Sequence, residues 1–432
     1  MQALLEACSR VVFVTGNAGT GKSTLIRYLR NSLDKSIVVL APTGVAALNV
    51  GGMTVHSFFR FPPRIQEPTD IKVPEDRSLY ERVDLLVVDE VSMLRCDLID
   101  AMDVFLRKAR SDNSAFGGVQ LLLVGDLFQL PPVVPKAEAE VLAARGYATP
   151  YFFSALSLQD VSLLPVELTT IYRQKDPEFV ALLNRVRVAE RTPDTVAELN
   201  RLCQSGSEPG GGVTLTATNA AADSINDEAL LRIHSKEHLM KGELEGKFNF
   251  ARDRLPSPLD LRLKVGAQVM FTKNDEQRRW VNGTMGGVRE IDEDSVRVEV
   301  DGRTHAVEHT SWETYEYEFD PKQNCILSKP LGKYTQYPLM LAWAVTIHKS
   351  QGKTLDKVLI DLGNGAFASG QVYVALSRCR SLEGIKLARP LRSSDIRCDS
   401  TIRRFYLTLA EQTDRRGEEG MMGECAETAS ST

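Results

Sequence analysis

The chain has 432 residues, 43% of them apolar and 25% charged, with a net charge of −5. That length exceeds what one core holds, so at least two domains are expected, and no apolar run approaches the roughly 20 residues of a membrane span. The acidic balance speaks weakly against a nucleic-acid partner, although a whole-chain sum hides a local basic groove. No Lys- or Arg-led apolar leader precedes the first motif, which predicts a cytoplasmic protein, nucleoid-associated if bacterial. Seven cysteines without CxxC spacing, and the pairs His234/His238 and His305/His309 without a suitably placed glutamate, predict neither a disulfide framework nor a metal site of their own.

In chain order, "VVFVTG", "SIVVLAP", "DLLVVDE" and "QLLLVGD" are short, continuously apolar runs within residues 11–126, each closed by Gly, Pro or a carboxylate. Such runs suit parallel strands buried on both faces. "KSTLIRYLRNSL" has helical period, with Leu25, Ile26, Leu29 and Leu33 on one face, and "MLRCDLIDAMDVFLRKARS" is a second helix. Residues 1–190 therefore predict a doubly wound α/β domain, with a wedge-like insertion at about 53–75 and chemistry at the carboxyl ends of the strands. "FPPRIQEP" and "PSPLD" are proline-rich loops. A second α/β block is expected over 191–279 and 338–410, from "VTLTATN" through "LMLAWAVTIHKSQG" and "KVLIDL". The short alternating runs of 280–337 predict an inserted β-barrel, and the tail 411–432 lacks periodicity and is expected to be disordered.

"GNAGTGKS" (16–23) fits GxxxxGK[ST] between an apolar strand and a helix, the context in which glycine-rich backbone N–H groups wrap phosphates. Gly16, Asn17, Ala18, Gly19, Thr20, Gly21, Lys22, Ser23 and Thr24 become candidate ATP contacts. Lys22 would reach the β- and γ-phosphates, and Ser23 would ligate Mg²⁺. "LLVVDE" (85–90) ends in Asp89, placed for the Mg²⁺ shell, and Glu90, placed to orient or deprotonate water. Gln129 of "GDLFQLPPV" would orient water or report the γ-phosphate. A second "GKT" at 352–354 lacks the leading glycine, because position 347 is Ile347, so it is not a second phosphate loop.

"GNAGTGKS", "APTGVAALNVGGMTVHSFFRFPP", "DEVSML", "FGGVQLLLVGDLFQLPPV", "YRQ", "TIHKSQGKTL" and "QVYVALSRC" occur in this order. The series resembles that of the Pif-type (petite integration frequency) DNA helicases, in the 5'-to-3' branch of helicase superfamily one, over residues 11–390. The resemblance implies two RecA-like P-loop domains, with an SH3-like β-barrel inserted in the second. It implies ATP-dependent unwinding in DNA replication, repair, recombination or genome maintenance, with G-quadruplexes and RNA–DNA hybrids among the family's substrates. It makes Gln129 the γ-phosphate sensor and Arg173 and Arg378 the arginines that reach the γ-phosphate, with Gln2 and Gly352 as further candidate nucleotide contacts. The implied DNA track runs through Pro42, Thr43, Gly44, Thr54, His56 and Phe58 in the first domain. In the second it runs through Asn219, Thr346, His348, Lys349 and Ser350. Single-stranded DNA and single/double-strand junctions are the implied partners, the chain is expected to be a monomer in solution, and "FRFPPRIQEP" is the candidate wedge.

Two other readings compete. "TKND" (272–275) imitates a guanine-reading sequence, but Ser92 stands where a switch-type GTPase needs glycine. A RecD- or Dda-like helicase of the same branch, or a DNA-dependent ATPase switch that separates no strands, would carry the same ATP motifs.

Overall fold

The four apolar runs become the middle of a parallel sheet, where a strand covered by helices on both faces has no polar side. The structure, a computed structural model, describes residues 11–203, 212–248, 255–292, 295–320, 322–323 and 325–411. In the first lobe, β1 (Val11–Gly16), β2 (Ile37–Ala41), β3 (Met53–Thr54), β4 (Leu85–Val88), β5 (Gln120–Val124) and β6 (Leu163–Leu168) lie in the order β3-β2-β4-β5-β1-β6. Helices α1 (Lys22–Ser32), α2 (Gly44–Val50), α3 (Val55–Phe59) and α4 (Cys96–Arg110) pack around it. Ile26 and Leu29 of α1 meet Val12, Val14, Val39 and Val87 on one face, while Ile99, Met102 and Phe105 of α4 share a core with Phe13, Leu86 and Leu123 on the other. Each side chain fully buried this way stabilises by about 1.5–3 kcal/mol.

Helices α5 (Pro177–Arg187) and α6 (Thr192–Leu202) lead into β7 (Val213–Thr216), the first strand of the second lobe, and α7 (Asn219–Leu231). A β-rich body follows. It contains β8 (Glu237–Lys241), β9 (Glu243–Gly246), β10 (Asp260–Lys264), β11 (Gln268–Phe271), β12 (Met285–Ile291), β13 (Val296–Val300), β14 (Arg303–Val307), β15 (Thr310–Asp320), β16 (Cys325–Gln336) and β17 (Leu339–Leu341). Then β18 (Ala344–Thr346), β19 (Val358–Asp361) and β20 (Ile385–Leu387) complete the second parallel sheet, in the order β18-β7-β19-β20, with α8 (Gln371–Leu376) beside it.

Three boundaries differ from the sequence reading. The break expected at residue 190 falls earlier, because Phe179, Leu182, Leu183 and Val186 of α5 share the core of the second sheet. The β-rich body is wider than 280–337: β11 pairs with β12 and β17, β8 pairs with β10, and β9 extends the β15–β16 hairpin. Residues 400–411 form a helix, α9, that returns to the first lobe, where Ile402, Phe405, Tyr406 and Leu409 join the core around Phe13 and Phe152. Periodicity marks a helix but not the sheet it covers, which is why these boundaries shift. The tail 412–432 and Gln2 lie outside the described residues.

Candidate nucleotide and nucleic-acid site

Because the first sheet places β1, β5 and β4 side by side, the loops after them converge. After β1 the chain turns into α1 through Gly19 and Gly21, both at positive φ (+86° and +85°), a region that side chains with a Cβ rarely adopt. At Gly19 a Cβ would also lie 2.6 Å from that of Arg173. Lys22 folds back over the loop and donates to the carbonyls of Gly16 (2.9 Å) and Asn17 (3.0 Å). Burial lowers its pKa, opposed by the nearby Asp126, Glu90 and Asp89. Thr20 donates to the Asn17 carbonyl, and Ser23 and Thr24 are exposed at the start of α1.

Asp89 and Glu90 follow β4. Burial, and then the neighbouring Glu90, pushes Asp89 up to about 7, while hydrogen bonds from the Glu90 N–H and Ser23 oppose the shift. Glu90 sits at φ +50°, and its Oε2 accepts from Gln351 Nε2 at 3.0 Å. A hydroxyl and a carboxylate in contact fit Mg²⁺, which takes few protein ligands and completes its shell with water and phosphate oxygens. Among the described residues no group of three or more His, Cys, Asp or Glu side chains forms a cation site.

Gln129 is buried and donates to Asp126 Oδ2 at 3.2 Å. Asp126 Oδ1 accepts from Arg187 Nη2 (2.9 Å) and Nε (3.2 Å) of α5, so a buried ion pair bridges the lobes. Burial raises the Asp126 pKa, but Arg187, Lys22 and these hydrogen bonds outweigh it and hold the group below its usual value. Arg173 donates to the Ser377 carbonyl (3.1 Å), and Gln174 donates to the same oxygen (3.1 Å) and to that of Cys379 (2.7 Å). Arg378, 1% exposed, donates to the Val374 carbonyl and to Ser377 Oγ, and burial followed by the nearby Arg173 lowers its pKa.

The candidate track residues fall at or beyond the carboxyl ends of paired strands. Register Ala41↔Thr54 sets Pro42–Gly44 beside the segment that begins at Thr54, and Thr346↔Thr216 sets His348 and Lys349 near the turn into Asn219. Thr43 and Thr54 cap α2 and α3, Asn219 and Lys349 are exposed, and His56 and His348 are half-buried. Gly352 is exposed, and a Cβ there would lie 3.9 Å from Asn49 Nδ2 of α2.

Three track candidates, Phe58, Ser350 and Thr346, are buried instead of lining an open surface. Phe58 is 3% exposed, packed edge-on to Phe59, Tyr80 and Tyr317, so no base can stack on it. Ser350 is fully buried and donates to the Ile347 carbonyl at 2.7 Å, so it faces its own turn. Thr346 is 3% exposed, with its hydroxyl oxygen accepting from the Lys349 N–H. The candidate wedge also loses its aromatic, since Phe61 stacks on Phe59 inside the core. Its exposed tip is Pro62–Pro63–Arg64, tied down by Gln66 to Pro62 and by Arg95 to the Arg64 carbonyl.

A family model described as PIF1-like helicase matches residues 1–195. ATP-dependent DNA helicase Pif1 of Bdellovibrio bacteriovorus is 34% identical over 388 residues, covering 87% of this chain and 83% of that protein. The crystal structure of Bacteroides sp Pif1 in complex with ADP-AlF4 superposes with a TM-score of 0.87 at 37% identity, covering 95% of this chain and 96% of that one. The chain belongs to the PIF1-like helicase family. Human ATP-dependent DNA helicase PIF1 is 36% identical over 438 residues, and this chain spans only 62% of its length. Bacteroides Pif1 bound to ssDNA superposes with a TM-score of 0.68 at 36% identity, covering 95% of this chain and 96% of that one. The two parallel sheets are thus the RecA-like pair of the Pif1 structures.

Several residues of this PIF1-like site escaped the sequence reading. Tyr172, 73% exposed, stands beside the phosphate loop, its ring 4.0 Å from where a Gly21 Cβ would be. In "YRQ" the resemblance marks the arginine and not the tyrosine, although a ring next to a glycine-rich loop is a stacking surface. Gln351 adjoined the track residues and carried no charge to mark it. Asp126, Arg187 and Tyr373 meet only in three dimensions, and a pairing across 61 residues leaves no spacing signal.

Proposed function

We propose that this chain is an ATP-dependent DNA helicase that moves 5'-to-3' on single-stranded DNA and opens duplex at junctions. The observation that carries this reading is the Gln351–Glu90 hydrogen bond, which joins the strand-track segment of the second lobe to the hydrolytic carboxylate of the first. The phosphate loop and Lys22 hold the phosphates, and Tyr172 offers its exposed face to the base. Glu90 orients the attacking water and takes its proton. Arg173 and Arg378 turn from Ser377 to the γ-phosphate, where such arginines contribute about 10³–10⁵ in rate. Mg²⁺ on Ser23 and Asp89 would supply charge neutralisation at the phosphates. Nucleotide binding draws the lobes together, hydrolysis releases them, and alternating grip by the two track patches gives steps. Each step opposes about 1.4 kcal/mol of stacking per base pair. One chain supplies the ATP site and both patches, so the monomer is the working unit.

The test is ATPase activity with and without single-stranded DNA, beside unwinding of duplexes tailed at either end. Lys22→Ala should abolish both activities. ATPase indifferent to DNA, or unwinding from 3'-tailed duplexes alone, would overturn the proposal.

A further inference from the structure

The phenol of Tyr373, fully buried on α8 of the second lobe, accepts from the Ala18 N–H of the phosphate loop at 3.0 Å. It donates to Asp126 Oδ2 at 3.3 Å, the same oxygen that receives Gln129 Nε2 at 3.2 Å. The other oxygen, Oδ1, is held by Arg187 and by the Phe128 N–H at 3.2 Å. The start of α8 presses on the same loop. A Cβ on Gly370 would lie 2.2 Å from the Gln129 carbonyl oxygen and 2.3 Å from that of Phe128, so only glycine admits this approach.

Gln129 therefore rests on a carboxylate buried out of water. Swinging toward a γ-phosphate draws its amide off Asp126 Oδ2. A buried acceptor stripped of its donor is costly, and that cost would oppose the movement. Tyr373 removes the obstacle, since it keeps Oδ2 hydrogen-bonded after Gln129 departs. Its second bond, to the Ala18 N–H, ties this function to the loop that carries the phosphates.

We propose that Tyr373 is a positioning residue that holds Asp126 satisfied between the lobes and so frees Gln129 to engage the γ-phosphate. It touches no nucleotide itself. The inference rests on the proposed ATPase reading and adds a specific route by which the second lobe acts on the sensor glutamine.

The test is a double-mutant cycle on the full chain with Tyr373→Phe and Gln129→Ala, reading kcat and the KM for ATP in the presence of single-stranded DNA. Tyr373→Phe should lower kcat about tenfold, or about 1.4 kcal/mol, and leave KM within about twofold. In the Gln129→Ala background the same change should have almost no further effect, because the residue it acts through is gone. Equal losses of kcat in both backgrounds, or a change confined to the melting temperature, would overturn the inference while leaving the ATPase reading standing. A wild-type chain without ATPase would overturn both.

Discussion

The Tyr317 hydroxyl accepts from the Val39 N–H at 3.2 Å, joining the β15–β16 hairpin to the middle of the first sheet. Strand β3 pairs with β2 only at Leu40 and Ala41, so the hairpin supplies Val39 with the partner its short neighbour does not. Phe58 packs edge-on to the same ring, and Arg82 stacks over Phe319 further along the hairpin. Tyr317→Phe keeps the ring and strands the N–H, so it should cost about 1–3 kcal/mol. Differential scanning fluorimetry should show a lower midpoint, and an unchanged one would mean that the hairpin contact contributes nothing.

Gln351→Ala should uncouple the two activities. With its Glu90 partner removed, the ratio of DNA-stimulated to DNA-free ATPase should fall severalfold while nucleotide affinity is kept. Steady-state ATPase across a titration of single-stranded DNA measures the ratio, and a wild-type ratio would refute the link.

Glu90→Gln should separate binding from turnover. The isosteric amide can still accept from Gln351 but cannot take a proton from water. Fluorescent nucleotide and DNA should bind as in wild type while hydrolysis drops by at least about 10². Hydrolysis at the normal rate would remove Glu90 from the catalytic role.

Phe58→Ala and Lys349→Ala should behave oppositely. Removing the Phe58 ring from its cluster should cost about 3–5 kcal/mol of stability. Lys349→Ala, at an exposed position, should leave the melting temperature unchanged and weaken DNA-stimulated ATPase and salt-sensitive strand binding. Fluorescence anisotropy against salt, beside thermal unfolding, distinguishes the two outcomes. A Phe58→Ala chain that melts normally but binds DNA poorly would restore that ring to the track.

His56 and His348 both have lowered pKa values. Burial is the main cause for each, with Arg95 adding to it at His56. A group whose folded pKa lies below its unfolded value of about 6.5 contributes stability above that pH and loses it as pH falls through the folded value. The melting temperature should therefore decline as pH falls below about 6.5, and His348→Asn should make that decline shallower. An identical slope in the variant would mean that His348 titrates as if it were exposed.

The phosphate-loop half of the candidate site was legible as a cluster because its groups sit on consecutive residues at strand ends. "GNAGTGKS" and "LLVVDE" each carry their chemistry within a single loop, and the parallel sheet brings those loops together without further information. Asp126, Arg187, Tyr373 and Gln351 were not legible, since their meaning comes from contacts between lobes. Phe58 and Ser350 show the converse. Both belong to motif strings quoted for function, yet burial assigns one to an aromatic core and the other to a turn, and a motif string does not distinguish a residue that touches a ligand from one that supports its neighbour.

Phe405 lies 6.1 Å from Phe13 between ring centroids and stacks on Phe153 at 4.1 Å, while Tyr406 stacks on Phe128 and shares a hydrogen bond with Thr15. The lobe begun by β1 is thus completed by a helix made some 400 residues later. During synthesis, at roughly 5–20 residues per second, the nascent first lobe must wait tens of seconds with an apolar face uncovered. Cutting the gene between the lobes would make that gap permanent, and a first lobe expressed alone should need α9 supplied in trans or grafted on to remain soluble.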